Sequence, residues 1–100
     1  METARRIQVI KDWLKTLNEL AAKLNKTIQD EKANTHLLGP VRNKLNSVET
    51  ELVPWAQSAA TPTDASMFLD RAEFELSQSE AALNKAQNLV KPDTNIQAIG

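Results

Sequence analysis

One hundred residues, 41% hydrophobic and 25% charged, suit one soluble domain and are too apolar for a wholly disordered chain. A net charge of −1 lacks the basic surplus of a nucleic-acid binder, and the absence of cysteine excludes disulfide and thiol chemistry. Two glycines are too few for a strand-and-turn architecture, which needs them at its corners, whereas long helices avoid them.

In the first segment Ile7, Ile10, Leu14, Leu17, Ala21, Leu24 and Ile28 recur at alternating spacings of three and four. This a/d heptad pattern puts them on one seam of a helix over about 4–30. Trp13 and Leu20 widen the seam on neighbouring positions, which suits a helix packed against two partners rather than one.

The second segment, about 35–60, carries Leu38, Val41, Leu45, Val48, Leu52, Trp55 and Ala59 on its seam. Asn34 or Thr35 is the expected N-cap, because a short side-chain oxygen can take an orphan amide, with Gly39-Pro40 in or just before the first turn. Pro54 is the discordant residue. It removes the bond to the Thr50 carbonyl and disfavours helical geometry at Val53, so the pattern predicts a kink there rather than a break.

The third segment, about 62–91, opens on Thr61-Pro62-Thr63-Asp64, with Thr61 as N-cap and Pro62 in the first position. Its seam runs Ala65, Leu69, Ala72, Leu76, Ser79, Leu83, Ala86 and Val90, with Phe68, Ala82 and Leu89 beside it. Lys91 ends the helix, Pro92 cannot continue it, and residues 92–100 read as a tail.

Links of about five to seven and about two to four residues make consecutive helices antiparallel neighbours. The expected fold is therefore all-α: an antiparallel three-helix bundle with coiled-coil-like heptad packing over residues 1–91, each helix about 35–40 Å long. Helices one and three then run parallel. Residues 1–30 carry six basic and four acidic side chains, and residues 61–91 three and five, so opposite charge biases can meet.

Catalysis needs convergent polar groups in a concave site. The single histidine, His36, sits at the mouth of the second helix with no nucleophile at a useful spacing, and a surface or capping role is expected. No Glu-x-x-His or His-x-x-x-His pair and no glycine-rich loop occurs, so no catalytic residue, cofactor, metal or small-molecule substrate is expected. Arg5-Arg6 make only a weak basic patch for acidic lipid or nucleic acid. No apolar run approaches the ~20 residues of a membrane span and no signal peptide opens the chain, which makes a cytoplasmic location the simplest expectation, although a processed secreted domain would look the same.

One feature does not fit a fully satisfied bundle. Met67, Phe74 and Ala81 follow one another at intervals of seven on the outward side of the third helix and mark a candidate partner surface. Two other readings are open: a third helix rotated from this register, or a tail whose Ile96 and Ile99 fold back over the stripe.

The stretch Ile10-Lys11-Asp12-Trp13-Leu14, followed by Leu17, Leu20 and Leu24, in a chain of three heptad helices resembles a spectrin-type repeat. The resemblance covers 5–91 in architecture and only this stretch in residue identity. It implies a cytoskeletal or scaffold spacer that binds through its surface. Pro92 departs from it by blocking the continuous helix that joins tandem repeats, and the third helix lacks a large aromatic within its seam. Residues and resemblance together predict a non-enzymatic structural or interaction module, with a protein partner or self-association. The competing readings are an amphipathic lipid- or membrane-surface-associating bundle and a secreted bacterial surface domain binding a host protein.

Overall fold

A computed structural model describes residues 2–90. Helix α1 spans Glu2–Thr27, α2 Glu31–Ser47 and α3 Val53–Ser58; a π-helical turn, Val48–Leu52, joins α2 to α3, and α4 spans Pro62–Val90. Residues 31–58 form one continuous helical arm, so the chain makes three passes of an all-α bundle, about 57 × 27 × 16 Å, with no strand among the described residues. The tail 92–100, the fold-back of Ile96 and Ile99, the helix end at Lys91 and the side chain of Val90 lie outside the described residues.

In α1 the heptad seam is the buried face, from Ile10 to Ile28, with Ile7, Trp13 and Leu20 packed at its edge. In α4 the buried face is Ala65, Leu69, Ala72, Leu76, Ser79, Leu83 and Ala86. Leu89, expected beside this seam, is exposed instead.

The first link is shorter than expected, residues 28–30 only. The second arm starts at Glu31 with Asp30 as N-cap, its carboxylate accepting the Lys32 N–H at 3.0 Å. Asn34 does not cap α2. From inside the first turn its Nδ2 donates to the Asn25 carbonyl, the Asn25 Oδ1 and the Ile28 carbonyl (3.2, 2.9 and 3.2 Å). Carbonyls left over at the end of α1 thus find a donor on the next helix, which holds so short a link. The earlier start also leaves Pro40 inside α2 rather than in its first turn, with the His36 carbonyl denied its usual donor. At the second link the Asp64 N–H donates to Thr61 Oγ1 (3.1 Å), so Thr61 caps α4.

Pro54 does not break the arm; a π-turn precedes it. The Val53 N–H reaches back to the Val48 carbonyl, five residues away instead of four. The wider turn adds one residue to the helix, and the buried positions step from Val48 to Val53 and Ala56. Leu52, Trp55 and Ala59, which the unbroken heptad places on the seam, are turned off it: Leu52 and Ala59 are half-buried and Trp55 is exposed. Side-chain hydroxyls take up nearby carbonyls, Thr50 Oγ1 donating to Asn46 at 2.8 Å and Ser58 Oγ to Pro54 at 2.6 Å.

Candidate partner-binding surface

The two long flanks of α4 are marked by what they touch. On one side Arg6 of α1 donates to Ser66 Oγ (3.1 Å) and Asp70 Oδ1 (2.8 Å) and pairs with Glu73 Oε2 (3.2 Å). Of the Arg5-Arg6 pair, Arg6 is thus engaged across the α1–α4 contact rather than free to form a basic patch. The Asp70 hydrogen bond, with that of Glu73, holds the Arg6 guanidinium above its ordinary pKa although burial pulls it down. On the other side Phe68 meets Trp55 of α3, ring centroids 5.6 Å apart and tilted by 56°, and Lys44 of α2 donates to Gln78 Oε1 at 2.6 Å.

Between these flanks lies the outward line. Met67 is 63% exposed, Phe74 52%, and Ala81 is also exposed. Arg71 lies over the Phe74 ring, 5.7 Å from its centroid, and pairs loosely with Glu75 at 3.7 Å. Trp55, 49% exposed, extends the apolar area sideways through Phe68. Methionine, phenylalanine, tryptophan and arginine are among the side chains enriched at protein interfaces. The stripe thus lies on the surface of the described bundle, and the rotated-helix reading falls. Sequence reasoning placed Trp55 on the core seam and missed Arg71. For Trp55 the usable signal was Pro54, whose missing N–H should have cast doubt on the heptad register beyond it.

On the opposite side the passes separate. The register step puts small Val53 and Ala56 where Leu52 and Trp55 were expected, and a groove runs between α1 and the stretch from Glu49 to Gln57. One segment, ≈ 540 Å³, is lined by Lys11, Leu14, Lys15, Asn18, Glu19, Ala22, Glu49 and Val53. A second, ≈ 510 Å³, continues from Lys11 toward Ala4, Ile7, Ala56 and Gln57. The floor is apolar and the rims are charged.

His36 is exposed on α2 beside Glu31, Lys32 and Thr35. Among the described residues no three His, Asp or Glu side chains are grouped to hold a metal ion, and no helix is long and apolar enough to cross a membrane. Compared with known protein families, curated proteins and solved structures, the chain matches none, so what it shares with spectrin-type repeats is a three-helix all-α architecture.

Proposed function

We propose that this chain is a non-enzymatic protein-interaction module, an adaptor, spacer or assembly subunit that binds another protein through the outer face of α4. The observation that carries the reading is the pair Met67 and Phe74, both more than half exposed on a helix whose other faces are engaged. Folding gains little from large apolar side chains in that position, whereas covering them stabilises a complex by roughly 1–1.5 kcal/mol each, about half the value of full burial. Trp55 and Phe68 widen the contact, and Arg71 offers a charged donor at its centre. A spectrin-type spacer is the finer version of this reading, supported by architecture and the Trp13 stretch.

The test compares wild type with Met67→Ser/Phe74→Ser in sedimentation and in capture of binding proteins. Association, with itself or with a captured protein, is expected to be lost in the variant while the melting curve stays unchanged. Association indifferent to both substitutions overturns the reading.

A further inference from the structure

We propose that the groove between α1 and the Glu49–Gln57 stretch is the receptor for the outer face of α4 of a second copy, in a head-to-tail contact that repeats along a row of molecules. The inference rests on the reading of that face as a binding surface and names its partner.

Three features support it. The first is shape: α4 carries a ridge, Met67, Phe74 and Ala81, and the chain carries one long apolar-floored groove on the side facing away from α4. An apolar ridge laid into a groove is a recurring mode of helix recognition.

The second is axial match. The Arg6–Ser66 and Arg6–Asp70 bonds fix the level of α4 against α1. Counting along both parallel helices from there, Phe74 is level with the Lys11–Lys15 stretch, Met67 with the Ala4–Ile7 end and Ala81 with the Asn18–Ala22 end. A copy displaced sideways, without rotation and with little axial slip, therefore brings its whole ridge along the whole groove.

The third is charge. Seven-residue steps put Asp70, Ser77 and Asn84 along the α1 flank of the ridge, and Arg71, Gln78 and Lys85 along the other. In the displaced copy Asp70 comes against the wall bearing Lys11 and Lys15. Arg71 comes against Glu49 on the other wall. Asp70 keeps 69% of its side chain exposed while bound to Arg6, so it remains open to a second cation. Reversing the inserted helix end for end exchanges the flanks and sets Arg71 against the wall bearing Lys11 and Lys15. The parallel orientation is thereby selected.

Because ridge and groove lie on opposite sides of one molecule, the contact is heterologous. Repeated without rotation it does not close, and the product is an open row rather than a dimer.

The chain has no cysteine, which allows a clean cross-linking test. Lys15→Cys and Ser77→Cys are prepared as separate full-length chains, both at exposed positions, and treated with a short bismaleimide alone and mixed. A covalent dimer is expected in the mixture and in neither chain alone. In sedimentation the average mass of the wild type should rise with concentration without a plateau at two copies, and fall with added salt. Ser77→Cys cross-linking to itself as readily as to Lys15→Cys signals a two-fold pairing of α4 helices and overturns the proposal. So does a plateau at the dimer, or a monomer at every concentration. If the chain is monomeric while Phe74→Ser still abolishes capture of some other protein, self-assembly falls and the interaction reading stands.

Discussion

Val53 donates its backbone N–H to the carbonyl of Val48, one residue beyond the α-helical partner, and every side chain from there to Ser58 is turned by one position. The arrangement behaves as an inserted residue, so removing one should restore a plain α-helix with Val53 and Ala56 still inward. A chain lacking Thr50 and carrying Pro54→Ala is therefore expected to melt within about 1 kcal/mol of wild type. The alanine supplies the amide that an α-helical turn requires there. Denaturation followed by circular dichroism checks this. A loss of several kcal/mol would show that the turn is not a one-residue insertion.

Leu45 and Leu52 separate the two registers directly. An unbroken heptad makes both central, but Leu45 is 1% exposed and Leu52 is only half-buried at the turn. Leu45→Ala should cost about 2–5 kcal/mol. Leu52→Ala should cost well under half as much, because less apolar area is removed from the core. Urea midpoints of the two variants give the comparison; equal losses would contradict the register step.

Ser79 is buried in the α4 seam at 1% exposure, and its hydroxyl has no hydrogen-bond partner among the described residues. A buried hydroxyl without a partner carries a desolvation penalty of about 1–3 kcal/mol, and alanine removes the group while leaving a gap of one atom. Ser79→Ala should raise stability by about 1 kcal/mol, seen as a higher urea midpoint with an unchanged slope. A lower midpoint would show that the hydroxyl is satisfied after all.

Arg6→Ala removes the bonds to Ser66, Asp70 and Glu73 together. Partly exposed pairs contribute little, so the expected loss is about 1 kcal/mol, shrinking as salt is added. The pH dependence has a definite sign. A guanidinium whose pKa is raised in the folded state contributes fully below its unfolded value and loses that contribution only as pH climbs through the folded one. The difference between wild type and Arg6→Ala should therefore not fade between neutral and mildly alkaline pH. Thermal melts of both chains across that range measure it.

Most of the buried face could be read from spacing alone. The α1 and α4 seams follow strict threes and fours, and nothing in those helices interrupts the backbone ladder. The second arm was legible only as far as Val48. Pro54 announces that one amide is missing, but a kink, a break and a π-turn all answer that. Which one forms depends on whether Leu52 and Trp55 or Val53 and Ala56 fit between α1 and α4, a tertiary question. The start of α2 was misplaced for a similar reason. Asn34 has the composition of a cap, yet its amide serves α1's final carbonyls, a role visible only once both helices are in place. The Met67–Phe74–Ala81 line was legible because it is local to one helix. The groove was not, since it follows from the register step.

An odd number of passes has a mechanical consequence. Glu2 of α1 lies at one end of the bundle and Val90 of α4 at the other, with α1 and α4 lying side by side over most of their length. Pulling on those two ends loads the α1–α4 seam in shear, so its packed layers and the Arg6 cluster resist together rather than peeling one after another. The load path runs along the long axis of the molecule, and the links at 28–30 and 59–61 lie outside it until that seam gives way.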